Sequence, residues 1–228
     1  CHMLCYYCAC NKIVTRQTDK ATEYLRYLEQ EMAHLAPFFA GRTVTQLHWG
    51  GGTPTYLKPD EIRQLMAMLR RYFHFADEGE ISIEVDPREI ELSLLDVLKE
   101  VGFNRLSLGV QDFDKSVQVA VNRVQDNDFI RALLMRAKEL GFRSTNLDLI
   151  YGLPLQTRAS FRHTLEQVVQ TAPARLSIFN YAHLPSRFAG QHKIKDETLP
   201  PPAEKLAILQ ETIEYLTAQG YQYIGMDH

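Results

Sequence analysis

The chain opens with the stretch C-H-M-L-C-Y-Y-C-A-C at residues 1–10, which holds all four cysteines of its 228 residues. Thiols this close together along one loop can wrap a single inorganic centre, as thiolates do for iron–sulfur clusters. A disulfide framework would instead spread its cysteines to link distant segments. A structural zinc site normally uses two separated pairs of cysteines, and the second pair is missing. The stretch therefore favours an iron–sulfur site.

The spacing of the cysteines indicates the kind of cluster. Cys1, Cys5 and Cys8 follow the pattern C-x3-C-x2-C, whereas a cubane that only transfers electrons takes four cysteines. The pattern resembles the signature of the radical S-adenosylmethionine (SAM) superfamily. The resemblance implies that these three thiolates bind a [4Fe–4S] cluster whose fourth iron chelates SAM. An electron from the reduced cluster would then split SAM into methionine and a 5′-deoxyadenosyl radical.

Composition and charge exclude several classes of protein. Apolar residues make up 45% and charged residues 23% of the chain, which suits one large domain. A net charge of −3 gives no basis for binding nucleic acid or an anionic membrane. No apolar run reaches the ~18 residues that span a bilayer. Clustered reduced thiols predict a reducing compartment, most simply the cytoplasm, and we expect a monomer.

Beyond the cysteines, patterns typical of strands and helices alternate along the chain. Strands are predicted at 43–49, 81–85, 105–110, 146–150, 176–181 and 221–224. Helical patterns separate them, one beginning at Pro59 and another near Ser160 with Thr157 as its cap. Strands joined by single helices form β-α-β units with parallel pairing and right-handed crossovers. Five or six such units favour a barrel or part of a barrel, but an eight-fold barrel would need more strands.

The resemblance makes this fold class more specific. It implies an α/β fold, the partial (β/α)6 barrel of radical SAM enzymes, with parallel strands inside and helices outside. The cysteine loop would follow the first strand. That strand would precede Cys1, so we expect the chain to be truncated at both ends, with residues 1–228 forming the radical SAM core domain.

Polar residues follow or interrupt the predicted strands, where barrel enzymes place reactive groups. The run Gly50–Thr53 ends one strand and could be either a tight turn or a loop that a ligand approaches closely. Glu84 and Asp148 are acids in otherwise apolar runs, and a buried carboxylate needs a partner or a ligand. The alternative to ligand binding is a structural ion pair, with Arg123 as one partner. Asp227 and His228 would end the last strand.

Longer motifs resemble one family within the superfamily, the oxygen-independent coproporphyrinogen III oxidases. They are C-N-K-I-V-T-R at 10–16, L-H-W-G-G-G-T-P-T at 47–55, E-V-D-P-R at 84–88, G-V-Q-D-F at 109–113, D-L-I-Y-G-L-P at 148–154 and F-N-Y-A-H-L-P at 179–185. The resemblance implies two SAM molecules. Tyr7, Gly51 and Glu84 would line the SAM on the cluster, and Gly52, Thr53, Gln111, Arg123, Asp148 and Ala182 would line the second.

The family's reaction converts two propionates of coproporphyrinogen III to vinyl groups, giving protoporphyrinogen IX for haem and porphyrin synthesis. It would require an unidentified low-potential electron donor and an electron acceptor. Lys12 and Arg16 are candidates for binding the propionates, although both could be ordinary surface charges. Cys10 is expected to act in turnover, since it lies beside the cluster ligands and has no structural role that the sequence indicates.

Two other functions stay open at this point. The related haem chaperones share the cysteine triad and the glycine run, but they typically carry an aromatic residue where this chain has Cys10. The cysteine at that position therefore favours the oxidase. A domain that uses structural zinc to support an interaction surface is the alternative from another class of protein.

Overall fold

A computed structural model describes residues 1–88 and 90–225 of the chain. Within these residues, five parallel strands form one sheet in the order β1-β2-β3-β4-β5, curled into a half-barrel. The strands are β1 Thr43–Trp49, β2 His74–Val85, β3 Arg105–Gln111, β4 Ser144–Tyr151 and β5 Arg175–Asn180. Strand order follows chain order, so each connection moves the chain one place along the sheet. The predicted partial barrel is confirmed.

Helices pack on the outer face of the sheet through the main apolar core, apart from one short helix whose buried Val117 lies in a second apolar cluster. They are α1 Lys20–Leu35, α2 Pro59–Tyr72, α3 Ser93–Glu100, α4 Lys115–Ala120, α5 Asn127–Glu139, α6 Arg158–Thr171 and α7 Pro202–Ala218. Proline opens α2 and α7, where its missing N–H costs no hydrogen bond. The Thr157 side chain caps α6, as predicted, by accepting a bond from the Ser160 amide at 3.1 Å. Within the described residues, none of the helices is long and apolar enough to cross a membrane.

The core lies between the sheet and the helices, and the concave face of the sheet is polar. On β4, Leu147 and Leu149 point outward and are 0% exposed, packed in the main apolar core. Asn146 and Asp148, at the alternate positions, line the cavity inside the half-barrel. Since side chains alternate between the two faces of a strand, the same alternation that buries the core aims the polar residues at one site.

The structure differs from the sequence-based expectations at three places. β2 begins at His74 rather than at residue 81, because its first half is polar and pairs irregularly with β1, so it carries no apolar alternation. The short helix α4 gave no periodic signal, and Asp114 caps it. The strand expected at 221–224 is not formed. Tyr221 instead packs on the core and donates a hydrogen bond from its hydroxyl to the Pro173 carbonyl at 2.8 Å. Asp227 and His228 lie outside the described residues.

Candidate active site

One cavity of about 710 Å³ occupies the concave side of the half-barrel and its rim. Its walls bring together residues that the sequence places far apart. Of the residues predicted to hold the cluster and SAM or to act in turnover, all except Ala182 line it: Cys1, Cys5, Tyr7, Cys8, Cys10, Gly51, Gly52, Thr53, Glu84, Gln111, Arg123 and Asp148. The cysteine loop borders the same cavity as the inward-facing side chains of the strands.

The cysteine thiols have distinct surroundings. The Cys1 Sγ atom lies 3.1 Å from Thr53 Oγ1, and Cys5 is buried, with its sulfur accepting a bond from Arg123 Nη1 at 3.4 Å. A hydrogen bond from Cys10 lowers the pKa of Cys8 to about 5, against the opposing effect of burial and with help from the charge of Lys12. The lowered pKa favours the thiolate of Cys8, the form that binds metal.

Cys1, Cys5 and Cys8 line one cavity, where their thiols could bind a single inorganic group together. Soft thiolate donors are the ligands that iron–sulfur clusters take. In the part of the chain that the structure describes, no three side chains of His, Cys, Asp or Glu are grouped to hold one metal ion. The fit of the cluster predicted from the spacing rests on the soft thiolate chemistry of these three donors and on their position around one cavity.

The cysteine loop has no regular secondary structure, and two segments of the chain hold it, one at residues 121–122 and one at Gln191. The Asn122 side chain donates to the Leu4 carbonyl at 2.8 Å, and the Tyr6 amide donates to the Val121 carbonyl at 3.0 Å. On another side, the Gln191 side chain donates to the Tyr7 carbonyl at 3.0 Å. Asn122 has a φ of 54°, in the left-handed region where Asn is tolerated better than most residues.

The glycine run turns directly after β1 and approaches the cysteine loop. Gly51 has a φ of 113°, which L side chains rarely adopt. A Cβ atom added to Gly52 would lie 3.4 Å from the Cys1 sulfur. The Thr53 hydroxyl also donates to the Gly52 carbonyl at 2.7 Å. The run is more than a tight turn, because it borders the cavity beside the first cysteine with its backbone uncovered by side chains.

Glu84 lies on the inner face of β2, beneath the glycine run. Its Oε1 atom is 3.4 Å from His48 Nε2, and the other nitrogen of that ring is 2.8 Å from the Ser82 hydroxyl. A Cβ atom on Gly50 would lie 2.8 Å from the same imidazole and 2.9 Å from the Glu84 carboxylate. The side chain of Glu84 is 44% exposed, so the carboxylate is open to a ligand in the cavity.

Asp148 faces inward from the middle of β4. Its carboxylate accepts bonds from the Ser107 hydroxyl at 3.0 Å and the Asn146 amide at 2.7 Å. Burial raises the pKa of Asp148, and the nearby charge of Glu84 raises it further, while the bonds from Ser107, Asn146 and Ser177 act in the opposite direction. These neutral partners leave the carboxylate without a compensating positive charge.

The structure contradicts the ion pair between Asp148 and Arg123 that the sequence left open. Arg123 is 6% exposed and pairs with Asp86, whose Oδ2 lies 3.2 Å from Nη1. Its Nε donates to the Gly109 carbonyl at 3.2 Å. Burial would raise the pKa of Asp86, but the bonds from Arg88 and the charge of Arg123 outweigh burial and lower it. This acid, two positions beyond Glu84, is the true partner of Arg123.

Gln111 and Ala182 complete the predicted set. Gln111 ends β3 with a φ of 69°, beyond a bulge in the pairing of β3 with β4, and its side chain lines the cavity. Backbone strain of this kind is often kept at functional sites. Ala182 is exposed just beyond β5, and its carbonyl accepts a bond from Gln191 at 3.2 Å.

The two cations proposed from sequence for propionate binding are placed differently. Lys12 lines the cavity, but its Nζ donates to the Cys8 carbonyl at 2.9 Å and the Cys10 carbonyl at 3.3 Å. This ammonium group therefore supports the cysteine loop. Arg16 is exposed and does not line the cavity. Sequence reasoning also missed Asn122 and Gln191, since an isolated amide carries no pattern that distinguishes a buried clamp from a surface residue.

Comparison with known proteins identifies the class that this fold and site define. The family model of the radical SAM superfamily matches residues 1–168. The chain belongs to the radical SAM superfamily. This family implies SAM and a [4Fe–4S] cluster as cofactors, in agreement with the cysteine triad.

Several known proteins are similar to this chain over its whole length. The chain is 65% identical over 228 residues to the oxygen-independent coproporphyrinogen III oxidase of Escherichia coli K12, and this match covers 100% of the chain and 50% of the relative. The enzyme of the same name from Pseudomonas aeruginosa is 50% identical. The solved E. coli coproporphyrinogen III oxidase HemN superposes with a TM-score of 0.98, covering 100% of this chain and 52% of that one. The chain spans about half the length of the curated relatives it matches.

A more distant structure shares the fold alone. The radical SAM methyltransferase TsrM from Kitasatospora setae matches 76% of this chain and 34% of its own, with a TM-score of 0.57 and 14% identity.

Proposed function

We propose that residues 1–228 form the radical SAM core domain of an oxygen-independent coproporphyrinogen III oxidase. The observation that carries the proposal is the convergence of the cysteine triad, the glycine run and two inward carboxylates on one cavity. The identity of 65% to a relative of that name extends over the whole chain and supports it. The substrate is then coproporphyrinogen III and the product protoporphyrinogen IX, within haem and porphyrin synthesis in the cytoplasm.

Different residues of the chain bind the cluster and support the loop that carries its ligands. Cys1, Cys5 and Cys8 bind the [4Fe–4S] cluster, and the loop clamps formed by Asn122 and Gln191 keep these thiols in place. When bound and reduced, the cluster and SAM supply a carbon radical able to take an unactivated hydrogen atom. Such a hydrogen has no useful acidity, so general acid–base catalysis could not remove it.

We also infer that the cavity takes two SAM molecules. Glu84 and Asp148 face it from β2 and β4, with β3 between them, so each carboxylate can accept hydrogen bonds from the hydroxyls of a separate ribose. A carboxylate accepts with both oxygens and suits such a diol. Around the cluster-bound SAM we place Tyr7, Gly51 and Glu84, and around the second SAM we place Gly52, Thr53, Gln111, Arg123, Asp148 and Ala182.

The reaction balances at each of the two propionate side chains. The group –CH2–CH2–COO⁻ loses a hydrogen atom from the carbon next to the pyrrole ring, and the bond to the carboxylate then breaks. Carbon dioxide leaves, a vinyl group forms, and one electron passes to an external acceptor. A low-potential donor must supply the electron that reduces the cluster before each SAM cleavage.

Cys10 is proposed to act in turnover and not in cluster binding. Its thiol lines the cavity and donates its hydrogen bond to Cys8, and a serine hydroxyl can donate in the same way. We expect Cys10→Ser in the full-length protein to retain SAM cleavage while protoporphyrinogen formation falls by ~100-fold or more, the range assigned to a positioned proton donor or acceptor. The measurements are 5′-deoxyadenosine and protoporphyrinogen from the same reaction. Full oxidase activity in this variant would contradict a role for Cys10 in turnover.

The proposed function is tested by an anaerobic assay of the full-length protein with SAM, a reductant and coproporphyrinogen III. We expect two molecules of carbon dioxide for each protoporphyrinogen IX. Cleavage of SAM with neither product would contradict the oxidase assignment. A parallel incubation with haem, in which stable haem binding accompanied the lack of turnover, would indicate the related chaperone instead.

A further inference from the structure

Gln191 is a buried carboxamide whose hydrogen-bonding groups serve two separate parts of the chain. It is 1% exposed and lies in the 3₁₀ turn Ala189–Lys193. Its Nε2 donates to the Tyr7 carbonyl at 3.0 Å and the Ala182 carbonyl at 3.2 Å. Its Oε1 accepts from the Leu184 amide at 2.5 Å. A carboxamide nitrogen carries two N–H groups, so both are committed to these carbonyls.

The turn that carries Gln191 is packed firmly on the cysteine loop. A Cβ atom added to Gly190 would lie 3.4 Å from the Tyr6 carbonyl oxygen and 3.6 Å from a methyl group of Leu4. Ile194, just beyond the turn, is 5% exposed and belongs to an apolar cluster on which Tyr6 also packs. The carboxamide is therefore held by its own backbone as well as by its partners.

The other end of the bridge is also fixed. Tyr181 and His183 flank Ala182, and the Tyr181 hydroxyl lies 2.8 Å from His183 Nδ1. The second nitrogen of that ring lies 2.9 Å from Asp196 Oδ1. Each segment is thus held internally, and the Gln191 carboxamide links the two directly through its bonds to the Tyr7 and Ala182 carbonyls.

We propose that Gln191 is a positioning residue that sets the spacing between the two SAM sites. This inference rests on the proposed function, which places Tyr7 at the cluster-bound SAM and Ala182 at the second. Productive geometry at a reactive site requires placement to within about 0.5 Å. A single rigid amide between one wall of each site supplies that precision, and flexible loop backbone alone would not.

Asn122 offers a matched comparison on the other side of the cysteine loop. Its side chain also donates to a carbonyl of the loop, that of Leu4, at 2.8 Å. Among the described residues it makes no hydrogen bond to the Ala182 segment, so it supports the loop without joining the two sites. Changing each amide to its acid removes the donor with almost no change in size, and it places a carboxylate against carbonyl oxygens in both cases.

The experiment compares Gln191→Glu, Asn122→Asp and wild type as full-length protein. Labelled SAM is titrated by equilibrium dialysis into anaerobically reconstituted enzyme, and hydrogen exchange is followed in the metal-free protein. Exposed Gln219→Glu controls for the added charge. We expect Gln191→Glu to weaken the second SAM by at least ~10-fold, as for loss of a buried hydrogen bond, and the iron-chelated SAM by less than ~3-fold. Exchange should rise at residues 1–10 and 181–184 together.

Asn122→Asp should raise exchange in the cysteine loop alone and leave the second SAM bound. If the two variants weakened the binding of both SAM molecules equally, Gln191 would only support the loop and the proposal would be overturned. SAM binding and hydrogen exchange like those of wild type in Gln191→Glu would also overturn it. If that variant does not fold, the uncharged Gln191→Met is measured in its place. If wild type binds a single SAM, the proposed second site is wrong. Unchanged exchange at 181–184 in Gln191→Met would separately refute the bridge.

Discussion

Cys5→Ser in the full-length protein is expected to lose the cluster and all turnover, while Cys10→Ser keeps the cluster. Cys5 is one of three thiols on the loop that fit the cluster, and a serine hydroxyl is a poor substitute for a soft thiolate ligand. Cys10 is exposed at the rim, outside the C-x3-C-x2-C spacing. Iron, acid-labile sulfide and visible absorption after anaerobic reconstitution measure the outcome.

Misfolding is the main confounder, because Cys5 is buried. A serine oxygen can accept the bond that Arg123 Nη1 gives the Cys5 sulfur, so the metal-free variant should unfold in urea within about 1 kcal/mol of wild type. The expected result is thus a folded protein without iron. If Cys10→Ser emptied the site as completely as Cys5→Ser, the three-ligand model would be wrong.

Much of the fold could be predicted because alternation and helical periodicity are local signals. β1 and the start of α2 agree with the sequence-based bounds, since Pro59 and the glycine run mark them. The prediction of a strand at 221–224 was wrong because a strand forms only when a neighbouring strand hydrogen-bonds to it. Apolar alternation in one segment does not reveal whether such a neighbour is present. The first half of β2 shows the converse, since pairing made a strand from a polar segment.

Site residues were predictable where they formed a run or stood out chemically, as the cysteines, the glycines and the acids in apolar strands did. Partnership was not predictable. Sequence left Arg123 as a partner of Asp148, whereas the fold brings it to Asp86. Which of several acids an arginine meets depends on the curl of the sheet and on loop conformation. The same holds for Gln191, whose proposed role depends on the carbonyls of Tyr7, far away in the chain, and of Ala182, nine residues away.

The position of Asp148 leads to the second prediction with a large expected effect, a loss of affinity for the second SAM in Asp148→Asn. The Asp148 carboxylate lies inside the cavity with neutral hydrogen-bond donors, and no cation of residues 1–88 or 90–225 pairs with it. The structural alternative required a buried ion pair, whose breakage would cost about 3–5 kcal/mol. Asp148→Asn breaks no such pair here. We therefore expect this variant of the full-length protein to fold, to retain iron, and to bind the second SAM about 10- to 100-fold more weakly, as for a hydrogen bond to a charged group.

The stability of Asp148→Asn separates the two roles further. Because the folded protein raises the pKa of Asp148 above its ordinary value of 3.8, the folded state binds the proton more tightly than the unfolded state does. Wild type thus loses stability relative to the variant as pH rises from that value through the folded pKa. At neutral pH the variant should be as stable as wild type or more stable. Urea unfolding from pH 4 to pH 8 measures this difference.

Glu80→Gln is the matched control, since Glu80 lines the same cavity from β2 but is paired with Arg105 at 3.1 Å. Glu80→Gln should keep both SAM molecules bound. That result would show that loss of the second SAM in Asp148→Asn is local and not a general effect of removing a negative charge. A variant at 148 that lost several kcal/mol of stability together with its cluster would establish the structural role. An Asp148→Asn variant that bound two SAM molecules and turned over normally would show that this carboxylate serves neither SAM binding nor turnover, and the proposed ligand role would be wrong.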